Sequence, residues 1–140
     1  MRASILIDNA QVPARFRTLA GAIKPDVALA VYRTGAMYRT RVRAAASGRP
    51  GPRVQTGDYR RAISQTNTTD NGVPVALVHT NKPQAARLEY GFVGIDAAGR
   101  RYNQPPYPHW APAAEGLHET LENEIQKTVD IALSKVWRAP

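Results

Sequence analysis

A series of residues at three- and four-residue steps, Val27, Val31, Thr34, Tyr38, Val42 and Ala45, runs without a break into the sequence SGRPGP. The spacing predicts a long amphipathic helix from Pro25 to about Ala46, and the breakers predict its abrupt end. A helix with one apolar stripe has to lay that stripe on something, so the rest of the chain must supply a covering layer. Pro25 suits a first helical turn, where its missing N–H costs nothing. Gly35, inside the helix, either costs about 1 kcal/mol relative to alanine or marks a close approach. Upstream, Val12 to Ile23 can form a separate helix with Phe16, Leu19 and Ile23 on one side, and residues 3–7, ASILI, read as a short strand.

Beyond the breakers, residues 47–55 read as a loop. Thr56 is placed to cap a short helix, and Asp58 in its first turn suits the helix dipole. Tyr59, Ala62 and Ile63 share one side of that helix, with Arg60 and Arg61 facing outward. Residues 66–72, TNTTDNG, read as a turn cluster. VPVALVHT, residues 73–80, comes next as a strand in which Val73, Val75 and Leu77 alternate and Pro74 indicates an edge or a strand start. Pro83 to Tyr90 reads as a short helix stopped by Gly91. Residues 91–110, rich in Gly and Pro, read as a long loop. Pro112 opens a last helix with a stripe of Leu117, Leu121, Ile125, Val129 and Ala132, and glutamates in its early turns complement the macrodipole.

The chain of 140 residues is expected to be a single domain, residues 1–140. The expected fold class is α+β: a small antiparallel sheet packed against the long amphipathic helix and a C-terminal helix, with two long loops. Those loops, 47–55 and 92–107, are expected to be mobile in the free subunit. The opening residues are too short an apolar stretch for a signal peptide, and no run approaches the ~18 residues of a membrane span. An intracellular, soluble product without a membrane partner is therefore expected.

Charge is distributed unevenly. Between Arg33 and Arg61 eight arginines stand against Asp58 alone, which accounts for nearly all of the formal +8. The last helix carries Glu115, Glu119, Glu122, Glu124 and Asp130 against Lys127 and Lys135. Such polarity fits either an acidic partner or association of opposite faces of copies of the same chain.

Motifs for chemistry are missing. With no cysteine there is no disulfide or thiolate site, and His79, His109 and His118 lack zinc-type spacing. GRPGPRVQTG lacks the Gly-Lys-Ser/Thr ending of a phosphate loop, and no nucleophile elbow surrounds any serine. No enzyme activity, cofactor or metal is expected. The arginines allow a nucleic-acid site, but no helix-turn-helix, RRM, KH or zinc-finger pattern accompanies them. A solvated basic face, with Arg39 and Arg43 four apart, is the plainer alternative.

Three short motifs occur in order: QTGDYRRAIS, then AARLEYG, then QPPYPHWAPA ahead of the last helix. Their order and spacing over roughly residues 10–137 resemble the gene-product-ten-like family of tail components of long-tailed bacteriophages. Thr56, Gly57, Tyr59, Arg60 and Ile63 match the first family motif; Leu88, Glu89, Tyr90 and Gly91 match the second; Pro108, Trp110, Pro112 and Ala113 match the third. Tyr59 stands where the family usually has Leu, Ala62 where Ser is common, and residues 92–104 are longer than the typical connection. The resemblance implies a structural virion protein of the neck or tail-completion ring, joining the head connector to the tail and assembled in the cytoplasm of a host bacterium. Its partners would be copies of itself, in a hexameric or dodecameric ring, the adjoining connector or stopper, and the tail terminator or tail tube, with non-specific contact to DNA in the channel. Arg49, Arg53, Thr56, Gly57, Arg60, Arg61, Glu89 and Trp110 are the expected interface residues. A tail terminator capping the tube, or a free basic nucleic-acid-binding protein, are the alternatives.

Overall fold

The computed structural model describes residues 11–138, and side chains from residue 14 onward. The strand expected over residues 3–7 lies outside the described residues. The fold is mixed α+β, with helices at both ends and two small antiparallel sheets between them.

The first helix, α1 (Gln11–Ala45), is one continuous element of 35 residues, not two helices parted at Pro25. Pro25 removes one ladder bond, the one that would reach the carbonyl of Gly21. Gly21 is exposed, so water can satisfy the freed oxygen, and helix on both sides carries the defect. At the other end of the chain, α4 (Trp110–Ala114) and α5 (Leu117–Arg138) replace the single helix expected from Pro112. The break has a local cause: Glu115 turns extended, with ψ 132, and Gly116 takes a left-handed φ of 72 that glycine tolerates best. α5 packs along α1, and Phe16 meets Trp137 edge-on with ring centroids 5.5 Å apart.

Between these helices, α2 (Asp58–Arg61) leads into β1 (Ser64–Asp70) and β2 (Val73–His79). The polar run TNTTDNG is thus mostly strand, and only Asn71 and Gly72 form the turn. Both have positive φ, 49 and 81, as a two-residue hairpin turn demands, and the threonines are β-branched residues that suit a ladder. The register pairs Thr66 with Leu77 and Thr68 with Val75. α3 (Gln84–Tyr90) comes next, ended by Gly91 at φ 78. The expected long loop then contains a second hairpin, β3 (Phe92–Ile95) paired with β4 (Arg101–Gln104). Its turn is built around Asp96, whose carboxylate accepts from the N–H groups of Ala98 and Arg100 at 2.9 Å each and from the Tyr102 hydroxyl at 3.1 Å. These hydrogen bonds, led by the Arg100 N–H, hold Asp96 below the usual carboxylate range.

α1 chooses its sheet face by side-chain size. A Cβ on Gly35 would come within 2.5 Å of the Cβ of Ala76, so the helix and β2 approach closely through two small residues. Ala76 and Val78 accordingly face the interior, while Val73 and Leu77 are exposed. The alternating stripe Val73, Val75 and Leu77 therefore lies on the outer face of the hairpin. The core itself is small: Val42, Ala46, Ile63 and Ala113, with Tyr38, Tyr59, Val78 and Trp110 packed against it. The chain exposes 10281 Å², whereas a compact monomer of its mass would expose roughly 7,100 Å².

Candidate functional site

The arginine-rich turn is a connection between α1 and α2 folded back on itself. Most of its guanidinium groups have partners within the chain. Arg43, on the last turn of α1, donates from Nε and Nη2 to the carbonyl of Ile63 at 3.1 and 2.7 Å, fixing the junction of α2 and β1. Arg49 donates to the carbonyl of Gly51 at 3.0 Å and stacks 3.8 Å from the centroid of the Tyr107 ring. Arg60 reaches the Ser47 hydroxyl at 2.9 Å, and Arg61 pairs with Asp58. Arg53 makes no hydrogen bond or ion pair among the described residues.

Thr56 acts one residue outside the cap position expected of it. Gly57 takes the cap with a φ of 80, and the Thr56 hydroxyl accepts from the N–H of Asp58 at 3.3 Å. A hydrogen bond with Thr56, together with the Arg61 guanidinium, holds Asp58 below its ordinary range. Gly57 is buried and its left-handed backbone explains the glycine.

Glu89 and Trp110 are brought together, but not at a surface. Glu89, expected at an interface, is 6% exposed and turned inward. Its carboxylate accepts three backbone N–H groups: His109 at 2.8 Å and Trp110 at 3.0 Å on Oε2, and Ala111 at 2.9 Å on Oε1. It thus serves as an N-terminal cap for α4 delivered from α3, twenty residues earlier in the chain. Burial opposes its charge, but the three N–H groups and the neighbouring His109 outweigh burial and hold it below the ordinary carboxylate value. Trp110, also expected at the interface, is half-buried and stands edge-on to Tyr38 at 6.2 Å.

His109, fully buried, extends this set. Its Nδ1 faces two acceptors, the Tyr107 carbonyl at 2.8 Å and Glu89 at 3.1 Å, so Nδ1 carries the proton. Nε2 then accepts from the Tyr59 hydroxyl at 2.6 Å, and that hydroxyl oxygen accepts from Trp110 Nε1 at 3.0 Å. Burial pushes the Tyr59 phenol up. Every donor in the chain Trp110, Tyr59, His109 has its acceptor, and the network locks α2, α3 and α4 to one another. The signal for it was in the sequence as EYG and PHW, but the pairing is long-range and no local spacing announces it.

On the outer side of α2 lies an open cleft of about 520 Å³. Pro52, Val54, Tyr59, Pro83 and Leu88 contribute its apolar lining, and Arg53, Arg60 and Lys82 its positive charge, set against Asp58. Four of the expected interface residues, Arg53, Thr56, Gly57 and Arg60, line it, whereas Arg61 opens to the adjacent polar hollow with His79 and Lys82. Among the described residues no cluster of three or more His, Asp or Glu could hold a metal ion, and no helix is long and apolar enough to cross a membrane. Comparison with family models, with curated proteins and with solved structures finds no match.

Proposed function

We propose that the chain is a ring-forming structural subunit of a long-tailed bacteriophage particle, placed at the head–tail junction, in the neck or tail-completion layer. The observation that carries the assembly part of this reading is surface: the subunit exposes roughly 3,000 Å² more than a compact monomer of its mass. An obligate interface buries about 2,000–5,000 Å² counted over both partners, and a ring subunit contributes half of each of two such interfaces, so the surplus matches what an assembled subunit hides. Six described hydrophobic residues are buried, and only Val42 and Ile63 among them are larger than alanine. The three motifs that resemble the phage family support the placement. They converge on one structural unit: Tyr59 of the first, Glu89 of the second and Trp110 of the third belong to the same hydrogen-bonded cluster.

In this reading the cleft beside α2 receives an acidic surface of a neighbouring subunit or layer, and its partners, its place in the virion and its lack of catalysis stem from that role. Arg53 and Arg60 are the groups to reverse, since both line the cleft whereas Arg61 lies outside it, ion-paired with Asp58. The double variant Arg53→Glu/Arg60→Glu keeps its fold by circular dichroism, because surface changes cost about 0.5 kcal/mol. Like charges at an interface cost several kcal/mol, so it fails to complement a phage lacking the gene. Normal particles together with a lost, salt-dependent affinity for DNA would overturn this reading and favour nucleic-acid binding.

A further inference from the structure

The two hairpins share an unusual property: each has an apolar face that the subunit leaves bare. In an antiparallel ladder, residues directly opposite one another point to the same side. On the outer side of β1–β2 lie Val73 opposite Asp70, Val75 opposite Thr68 and Leu77 opposite Thr66. Val73 is 60% and Leu77 55% exposed. On the outer side of β3–β4 lie Val93 opposite Asn103 and Ile95 opposite Arg101, with Val93 79% and Ile95 61% exposed. The inner faces are occupied, Ala76 by α1 and Phe92 by Tyr102 and the Arg87 guanidinium 4.1 Å from its ring centroid. The outward alternation of Val and Leu is the pattern of a sheet face meant for burial.

We infer that the outer face of β1–β2 in one copy packs on the outer face of β3–β4 in the next copy of the same chain. Both faces are two-stranded and carry exposed Val, Ile or Leu side chains, Val73 and Leu77 on one and Val93 and Ile95 on the other, so they can interdigitate as stacked sheets do. Their charges are complementary: Asp70 edges the first and Arg101 the second, and neither has an ion-pair partner among the described residues. The exposed surface in excess of a compact monomer, roughly 3,000 Å², is enough for each copy to use two different faces. Because the two faces differ, the contact is heterologous and repeats from copy to copy, which generates a ring or a filament rather than a closed pair. A two-stranded hairpin is marginal on its own, and stacking on a neighbour supplies the missing layer. The inference deepens the ring reading and rests on it for closure beyond two copies.

The absence of cysteine from the sequence makes the test direct. Leu77→Cys and Val93→Cys are made separately in the full chain, checked by circular dichroism, and oxidised alone and as an equal mixture. The expected result is a disulfide-linked dimer in the mixture and none in either protein alone. Linkage of Leu77→Cys to itself overturns the proposal in favour of a two-fold contact between like faces. No linkage in the mixture also overturns it. Sedimentation velocity of the unsubstituted chain separates that failure from failure of the ring reading: oligomers without linkage mean a ring built through other surfaces, and a monomer at all concentrations removes both. As a second measure, Asp70→Arg and Arg101→Asp should each weaken self-association at least tenfold, and mixing the two variants should restore the contact between them.

Discussion

Replacing Glu89 is the sharpest probe of how this fold is held together. The carboxylate serves three backbone donors, from His109, Trp110 and Ala111, at 2.8 to 3.0 Å. Each buried donor that loses its acceptor costs ~1–3 kcal/mol. Ala111 is exposed and can turn to water, so the loss for Glu89→Ala falls near the lower end of the summed range, about 4 kcal/mol. Glu89→Gln keeps one carbonyl oxygen but sets an amide N–H₂ against the remaining donors, at about 2 kcal/mol. Against a total stability of ~5–15 kcal/mol these are large fractions. The assay is urea unfolding followed by circular dichroism, repeated from pH 7 to pH 3. Glu89 is held below its ordinary value of 4.5. Its contribution is therefore fully present above that value and is lost as the pH falls through the lower, folded-state value. The unsubstituted protein should weaken below about pH 4.5 more steeply than Glu89→Gln, whose side chain cannot be protonated in that range. A Glu89→Ala protein within about 0.5 kcal/mol of the original, or parallel pH curves for the original and Glu89→Gln, would refute the reasoning.

Other substitutions test other joints. Gly35→Ala should destabilise by about 1–2 kcal/mol despite alanine's better helix propensity, because its Cβ would collide with Ala76; a gain in urea midpoint would mean that α1 and β2 separate freely. Trp110→Ala removes the edge-on contact with Tyr38 and the donor to Tyr59, and should cost about 3 kcal/mol in the same assay. Brief trypsin treatment should cut first after Arg53, which is exposed and outside regular structure, and later after Arg100, whose guanidinium and N–H are both bound to Asp96; cleavage at Arg100 first, read by mass spectrometry, would show that the β3–β4 turn is looser than its hydrogen bonds imply.

Periodicity carried the long elements. The second half of α1, the stripe of α5 and the short α3 are where the apolar spacing put them, because a repeated three- and four-residue pattern has few other solutions. The errors have separate causes. Residues 66–70 read as turn because Thr, Asn and Asp are common in turns, although Asn71-Gly72 was itself a hairpin signal that made them a strand. β3 and β4 are each four residues long, too short for alternation to stand out among the surrounding glycines and prolines. The stripe Val73, Val75 and Leu77 was legible as a stripe but not in direction: Ala76 and Gly35 admit a close helix, and that contact turns the larger side chains outward. Of the expected interface residues, Arg53, Thr56, Gly57 and Arg60 do line one cleft. Glu89 does not, because its partners are twenty or more residues away and nothing local marks a remote cap.

The uninterrupted α1 has a mechanical consequence. At 1.5 Å per residue its axis is about 52 Å long, well beyond the width of the small core at its C-terminal end. The core grips α1 around Tyr38, Val42 and Ala46, while near Phe16 its companion is the end of α5 at Trp137. α1 and the α5 that packs along it therefore form a two-helix lever with its fulcrum at the core end. A tilt of about 10° at the fulcrum sweeps the far tip through about 9 Å. A neighbour holding that tip would register small rotations of the base as displacements several atoms wide, with the core left unrepacked.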